Sequence, residues 1–190
     1  MGDIAAYLQS LKMEIDFQPF NEVGRSRITQ LINKSNQFNL TTRRYTEAEV
    51  AALEADPDTL TLQARLRDKF GDNGMISVVI CRRGRSDVWE IDTWLMSCRV
   101  LGRRVEEAVL RELLQHALRR GARRLRGVYR PTDRNKLVEK HYLKLGFTLV
   151  EPGDEGSTVW DLEVAPGNLP PPPPMVVRSA GFGAVSSQAA

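Results

Sequence analysis

Few residues in this sequence are of the kinds that mark secreted, metal-binding or membrane proteins. Two cysteines in 190 residues are too few for a disulfide framework, and the two histidines have no partner at the spacing of a zinc site. No apolar run approaches the roughly 18 residues that a spanning helix needs. Charged residues also occupy the N-terminus, where a signal peptide requires an apolar stretch. These absences predict a cytoplasmic protein without a metal site.

Proline is scarce over most of the chain and concentrated near its end. Residues 165–190 hold six of the ten prolines and one charged residue, Arg178. A proline run is extended, and the Gly/Ala/Ser-rich end that follows it is typical of a flexible linker. We therefore expect one folded domain over residues 1–164 and a proline-rich flexible tail over residues 165–190.

Positive charge is concentrated in one stretch of the sequence. Nine arginines and three glutamates lie between Arg99 and Arg126, a local balance of +6 in a chain whose net charge is +3. Such a stretch is either a solvated helix face or a surface for an anionic partner, such as phosphate or an acidic protein. Because aromatic residues are not interleaved with the arginines, the pattern argues against nucleic acid.

Hydrophobic periodicity changes several times along the chain and predicts a mixed α/β fold. The strands around residues 60–98 are joined by turn residues, which predicts an antiparallel meander. In chain order, the predicted elements are a strand at 13–17, helices capped by Asn21 and Thr46, strands at 60–67, 74–83 and 86–98, a helix from 105 to 120, a strand at 125–129, a helix at 135–145, and strands at 147–150 and 158–164.

The junction between the strand ending at Cys98 and the helix starting at Val105 is a candidate anion site. Free N–H groups at a helix start, the helix dipole and arginine side chains all favour a bound phosphate. A glycine in the connection lets the backbone approach that phosphate closely. The connecting residues are Arg99, Val100, Leu101, Gly102, Arg103 and Arg104.

Two motifs resemble those of one known family, and their separation along the chain resembles that in the family. They are Arg99-x-x-Gly102 and Asn135-x-x-Val138-x-x-x-Tyr142-x-x-x-Gly146-Phe147. They resemble the GNAT family, whose N-acetyltransferase-like fold binds CoA or phosphopantetheine. The resemblance implies a mixed, mostly antiparallel sheet flanked by helices, with residues 99–104 and Asn135 at the cofactor. Arg104 stands where the family has glycine or alanine, which predicts a preference for carrier-borne phosphopantetheine over free CoA.

Two longer strings narrow this resemblance. Residues 36–46, NQFNLTTRRYT, and residues 92–103, DTWLMSCRVLGR, are similar to the C-terminal half of FkbH-like proteins. Those proteins load glyceryl units onto an acyl carrier protein in polyketide assembly, and they carry an N-terminal HAD-type phosphatase half. The resemblance implies an acyltransferase without a tightly bound cofactor. Its implied partners are an acyl carrier protein and a HAD-type half.

Three side chains are candidates for the chemistry, each with a structural alternative. Cys98, beside arginines and a helix start that favour the thiolate, can hold an acyl group or can be a small buried strand residue. Tyr142, where the GNAT pattern places a general acid, can protonate a leaving thiolate or can pack as a half-buried aromatic. Asp92, expected on the strand face of Trp94, can act as a general base or can accept backbone N–H bonds.

The polar run before the second helix is predicted to line the acceptor side of the cleft. Its members can contact glyceryl hydroxyls or the phosphopantetheine phosphate, and the alternative is capping and turn hydrogen bonding. The residues concerned are Asn36, Thr41, Thr42 and Arg44.

The other cysteine and the histidines are predicted to be structural. Cys81 follows an apolar run. In the predicted hairpin, Cys98 lies about 26 Å along its strand from the residue opposite Cys81, so the two cysteines cannot form a disulfide. His141 points about 100° away from Tyr142 on a helix and is expected at the surface. His116 is expected to lie on a helix without a ligand partner.

The sequence therefore favours an acyltransferase that moves a glyceryl-type unit onto the phosphopantetheine thiol of an acyl carrier protein. Two alternatives remain open. One is an acetyl-CoA-dependent N-acetyltransferase, and the other is a non-catalytic module that docks carrier proteins.

Overall fold

One eight-stranded sheet organises the chain, and the computed structural model describes residues 2–183. In chain order, the elements are α1 (Gly2–Ser10), β1 (Met13–Gln18), α2 (Glu22–Lys34), α3 (Glu47–Ala55), β2 (Thr59–Asp68), β3 (Gly71–Arg83), β4 (Val88–Met96), α4 (Val105–Arg119), β5 (Arg124–Tyr129), α5 (His141–Lys144), β6 (Thr148–Pro152), β7 (Thr158–Glu163) and β8 (Met175–Ser179). Within these residues, no helix is both long and apolar enough to cross a membrane.

The strand order across the sheet is β6-β7-β5-β4-β3-β2-β1-β8. Strands β2, β3 and β4 form the predicted antiparallel meander, β1 adds to it antiparallel to β2, and β5, β7 and β6 form a second antiparallel group. The two groups are joined by parallel pairing of β4 with β5. The predicted mixed, mostly antiparallel sheet flanked by helices is therefore confirmed.

Helices cover both faces of this sheet and create two apolar cores. The larger core lies under α4, whose Val109, Leu110 and Leu113 are fully buried. The smaller core lies on the opposite face, where Ile28 of α2 and Val50 of α3 pack on the sheet. The strands contribute side chains to both cores, because successive side chains along a strand point to opposite faces of the sheet.

Local sequence signals fix the starts of α2 and α3, as predicted. The Asn21 side chain accepts a hydrogen bond from the Gly24 N–H at 2.8 Å. Thr46 and Glu49 form a reciprocal capping box at the start of α3. Each cap satisfies backbone N–H groups that have no partner inside the helix.

The tail prediction is wrong for the strand at residues 175–179. After the proline run, β8 pairs in parallel with β1, from Met13 opposite Met175 to Phe17 opposite Ser179. The Ser179 hydroxyl donates to Glu112 of α4, and Phe182 packs against the larger core. The apolar residues after the prolines have strand propensity, and the open edge of β1 pairs with them. Residues 184–190 of the predicted tail lie outside the described residues.

The helices differ from the prediction in two places. The helix predicted over residues 135–145 is a 3₁₀ turn at Lys136–Val138 followed by the single turn of α5. The Asn135 side chain accepts from the Thr132 N–H at 2.7 Å, and such local bonding competes with helix formation. Helix α1 was not predicted, because among its residues only Leu8 is buried and its apolar periodicity is weak.

Candidate functional site

The sheet opens between β4 and β5. These strands pair in parallel only from Val88 opposite Arg124 to Ile91 opposite Gly127, and beyond Ile91 they separate. A β-bulge interrupts the pairing of β4 with β3 at the same place, since the register shifts around Asp92. Bulges bend a strand and redirect its side chains. The second half of β4 therefore borders a gap in the sheet.

The chain fills this gap with a short extended stretch, residues 38–40, here called the bridging segment. The Leu40 N–H donates to the Trp94 carbonyl at 3.1 Å, and the Met96 N–H donates to the Phe38 carbonyl at 3.1 Å. On the other side, the Arg130 N–H donates to the Leu40 carbonyl at 2.9 Å. The bridging segment thus acts as an extra strand that joins β4 to the end of β5.

Asn135 holds the bridging segment in place. Its amide nitrogen donates to the Asn39 carbonyl at 3.0 Å and to the Arg130 carbonyl at 2.8 Å. Its side chain is fully buried. The family resemblance implies that Asn135 lies at the cofactor. In the structure, its side-chain N–H groups donate to backbone carbonyls of the chain itself.

Asp92 is surrounded by its own partners. Its carboxylate accepts from Arg43 at 2.6 Å, from Arg82 at 3.3 Å and from the Tyr45 hydroxyl. Tyr45 packs against the core of α2 and α3. The bulge therefore turns Asp92 away from Trp94, and the prediction that the two share a face is wrong. With these partners, the carboxylate anchors the loop before α3, and burial together with the Asp92 hydrogen bond raises the pKa of Tyr45.

Most of the predicted substrate contacts serve the loop itself. The Arg44 guanidinium donates to the Ser35 carbonyl at 3.0 Å and also to the Ile32 carbonyl and Asn36, so it closes the end of α2. The Thr41 hydroxyl donates to the Asp92 carbonyl at 2.8 Å. The Thr42 N–H donates to the Asn39 side chain at 3.0 Å. Capping and turn bonding thus account for Thr41, Thr42 and Arg44.

Cys98 lies on a groove between the end of α2, the bridging segment and the end of β4. We call it the Cys98 groove; its volume is about 380 Å³. The thiol is exposed, with its Sγ 3.6 Å from Oε1 of Gln37. None of the described residues that line the groove is acidic. The lining residues are Arg27, Leu31, Lys34, Ser35, Asn36, Gln37, Phe38, Met75, Met96, Ser97, Cys98, Arg99 and Arg134.

This groove brings together three of the predicted site residues, Cys98, Arg99 and Asn36. It also includes Lys34 and Arg134, which sequence reasoning missed because neither belongs to the arginine-rich stretch. Together with Arg27 and Arg99 they make four basic side chains in the lining, contributed by α2, the loop after β4 and the turn after β5. The result is a groove suited to an anionic ligand.

In the structure, the arginines after Cys98 contact different partners, and the anion site at this junction stays a prediction. Arg103 donates to Asp68 at 2.6 Å, and Arg104 donates to Glu107 at 2.6 Å. Arg104 also has a left-handed backbone, with φ of 61°, and gives α4 no side-chain cap. Val100 is buried, Leu101 is partly exposed and Gly102 has φ of +76°. Arg99 alone in this loop lines the Cys98 groove.

The remaining arginines of the basic stretch are also dispersed. Arg123 pairs with Asp87, whereas Arg124 and Arg126 pair with Asp161. The local balance of +6 is therefore partly neutralised by acidic residues outside the stretch, Asp87 before β4 and Asp161 on β7.

Tyr142 and His141 are both buried where α5 meets the gap. The Tyr142 ring packs under β5, where a Cβ on Gly127 would lie 2.4 Å from it. Burial raises the pKa of Tyr142 above its usual range. The surface prediction for His141 is wrong: its ring lies 5.2 Å from that of Phe38 and 4.4 Å from that of Trp94. Helix α5 starts at His141 rather than at Asn135, so the side of the helix that faces the interior differs from the predicted one.

The two remaining candidates behave as structural residues. Cys81 is buried in the larger core, as predicted, and burial raises the pKa of its thiol. His116 is not without a partner, since it contacts Glu112 at 2.8 Å and Arg119 at 3.0 Å. Among residues 2–183 there is no cluster of side chains that could hold a metal ion.

Comparison with known proteins identifies the architecture. The sequence matches no protein-family model and no curated protein. The structure is similar to the GNAT domain of S. lividans PAT, with a TM-score of 0.60 and 19% identity over 77% of this chain and 89% of that one. It is also similar to the ribosomal-protein-S18-alanine N-acetyltransferase of Escherichia coli, with a TM-score of 0.58 and 14% identity over 80% and 94% of the chains. A GNAT-family acetyltransferase of Staphylococcus aureus gives a TM-score of 0.61 at 9% identity over 80% and 99%. The chain therefore has the GNAT fold.

Proposed function

We propose that this chain is an acyltransferase that holds a glyceryl-type acyl group on Cys98 and passes it to the phosphopantetheine thiol of an acyl carrier protein. The observation that carries the proposal is the Cys98 groove, where an exposed thiol lies among basic side chains with no acidic residue in the lining. The GNAT fold supports acyl transfer as the reaction class, because its structural neighbours include acetyltransferases.

The proposed reaction has two thioester steps. The Cys98 thiolate attacks the carbonyl of an activated acyl donor, a carbon–sulfur bond forms, and the donor's leaving group departs with the electron pair of the broken bond. The phosphopantetheine thiolate then attacks the same carbon, and Cys98 leaves as a thiolate. Each thiol releases its proton to solvent before attack, and the departing group recovers one.

The charge of the groove suits this acceptor. Arg27, Lys34 and Arg134 surround the approach to Cys98, and positive potential attracts both the phosphate of the arm and an acidic carrier surface. Arg99 donates to the Asn73 carbonyl at 3.3 Å and also faces the groove. A carrier arm entering here reaches the thiol without passing through the gap between β4 and β5.

The occupied gap argues against a plain acetyl-CoA-dependent enzyme. An extended pantetheine chain that paired with the second half of β4 would need the backbone groups of Trp94 and Met96, and the bridging segment already uses them. A non-catalytic docking module is the second candidate function. It is favoured by the burial of Tyr142 and by the pairing of Asp92, which leave no predicted acid or base beside Cys98.

Intact-mass spectrometry tests the proposal directly. Incubation of the full chain with a glyceryl thioester should add one glyceryl mass to the peptide that contains Cys98, and a holo-carrier protein should then remove it. Cys98→Ser should abolish both events, while Cys81→Ser, in the buried core, is the matched control that should retain them. Carrier binding without any mass increment would instead support the docking module.

A further inference from the structure

Four buried side-chain atoms that ordinarily form hydrogen bonds have no partner among the described residues, and three of them belong to neighbouring rings. They are Trp94 Nε1, Glu106 Oε2, His141 Nε2 and the Tyr142 hydroxyl. Three of them belong to rings in contact: the His141 centroid is 4.4 Å from that of Trp94 and 5.3 Å from that of Tyr142. Buried polar groups in proteins are nearly always hydrogen-bonded, so unpartnered ones beside a cavity mark a place where a polar ligand or water would form hydrogen bonds.

A cavity adjoins this cluster. It has a volume of about 250 Å³ and lies between the start of α4, the short helix α5 and the bridging segment; we call it the His141 pocket. His141 and Glu106 both line it, and its other walls are mainly apolar. Trp94 and Tyr142 lie behind the His141 ring. The apolar walls include Phe38, Leu101, Leu137 and Leu145.

The cluster offers both donors and acceptors to a ligand. His141 is 6% exposed, and burial lowers its pKa to about 3, so the ring is neutral and has one accepting and one donating nitrogen. The Glu106 oxygen accepts. Of the four unpartnered atoms, those of His141 and Glu106 belong to residues that line the pocket. A purely aliphatic group in the pocket would leave these two side chains unsatisfied, whereas a group that carries hydroxyls would satisfy them.

Phe38 connects this pocket to the proposed catalytic thiol. It lines both the Cys98 groove and the His141 pocket, and its ring meets the His141 ring edge-on at 5.2 Å. The two cavities therefore share Phe38 as a wall. Entry of an acyl group attached at Cys98 requires this side chain to rotate, so that the group enters the pocket while its thioester stays in the groove.

We propose that the His141 pocket is the acyl-recognition site, in which His141 and Glu106 accept hydrogen bonds from the hydroxyls of a short polyhydroxylated acyl group. The inference rests on the proposed acyl transfer and deepens it by naming the residues that select the acyl unit. Propionyl, which has the same carbon count as glyceryl but no hydroxyls, should therefore bind less well.

The two histidines of the chain make a direct test possible. In full-length protein labelled with ¹⁵N-histidine and carrying Cys98→Ser to prevent turnover, glyceryl-N-acetylcysteamine should shift the His141 ring signals and leave those of His116 unchanged. Propionyl-N-acetylcysteamine should bind about tenfold more weakly or worse. His141→Phe and Glu106→Leu should each reduce this preference, since both remove an acceptor, and the exposed Glu139→Leu is the matched control that should preserve it.

The outcomes separate this inference from the proposed function. Equal affinity for the two thioesters, or shifts confined to His116, would overturn the pocket even if Cys98 becomes acylated in the wild-type chain. A glyceryl-specific shift at His141 without acylation of Cys98 in the wild-type chain would support the pocket as the acyl-recognition site and would contradict a covalent intermediate on Cys98. Because the ring shifts are recorded with both histidines present, the test does not depend on whether His141→Phe folds.

Discussion

At the scale of single residues, His141 shows how burial decides the protonation state. Its pKa is lowered from 6.5 to about 3 because the ring is removed from water among aromatic neighbours. The folded state therefore binds this proton less well than the unfolded state does. The resulting stability is present above pH 6.5 and is lost as the pH falls toward 3.

The corresponding prediction compares wild type with His141→Phe. Between pH 8 and pH 5, the wild-type free energy of unfolding should fall by about 2 kcal/mol more than that of the variant, because only the wild type protonates this ring on unfolding. Urea unfolding at the two pH values measures the difference. Parallel decreases for the two proteins would show that the ring is not held neutral.

Residue-level predictions from sequence succeeded where neighbours along the chain decide the environment. Cys81 follows an apolar strand and is buried, and Thr46 begins a capping box. They failed for His141 and Asp92, whose orientation depends on where a helix starts and on a β-bulge. Neither the helix start nor the bulge has a local sequence signal of comparable strength.

At the scale of elements, the bridging segment determines the candidate site. Sequence patterns predicted β4, β5 and the polar loop correctly as separate pieces, but the pairing of Asn39 with Leu95 joins residues far apart in the chain. Asn135, another 96 positions along from Asn39, fixes this arrangement through its amide. Long-range contacts of this kind could not be predicted from the sequence, because the period of hydrophobic residues indicates only which face of a helix or strand is buried.

Asn135→Ala tests the role of this amide. Loss of its bonds to the Asn39 and Arg130 carbonyls leaves buried acceptors unsatisfied, so the free energy of unfolding should fall by about 1–3 kcal/mol. Hydrogen exchange should also accelerate at the amides of Leu40 and Met96, which bond across the bridging segment. Asn168→Ala removes an exposed side-chain bond to the Glu163 carbonyl and is the control. Unchanged exchange at Leu40 would contradict the anchoring role.

At the scale of the whole molecule, the C-terminal strand belongs to the domain. Pairing of β8 with β1 covers a sheet edge, the Ser179 hydroxyl of β8 donates to Glu112 of α4, and Phe182 after β8 contacts His116 of α4. Removal of residues 175–190 should therefore lower Tm by about 5 °C or more, since the backbone bonds of β8 and the contact of Phe182 are lost. Scanning calorimetry of the truncated and full chains measures this. An unchanged Tm in the truncated chain would show that these residues act as a linker and do not stabilise the domain.

The charge of the molecule gives the last prediction, which concerns carrier docking. If the Cys98 groove is the docking surface, reversing Lys34 and Arg134 to glutamate should weaken binding of an acidic carrier protein about tenfold or more at low salt. The effect should shrink at 500 mM salt, because screening then acts over only a few ångströms, about 3 Å at 1 M. Arg123→Glu combined with Arg124→Glu is the matched control: both are exposed arginines of the basic stretch, and their side chains pair with Asp87 and Asp161 rather than lining the groove. Fluorescence anisotropy of a labelled carrier measures each affinity. Equal weakening by this control would assign docking to the arginine-rich stretch as a whole, whereas weakening confined to the Lys34 and Arg134 variant would assign it to the groove that holds Cys98.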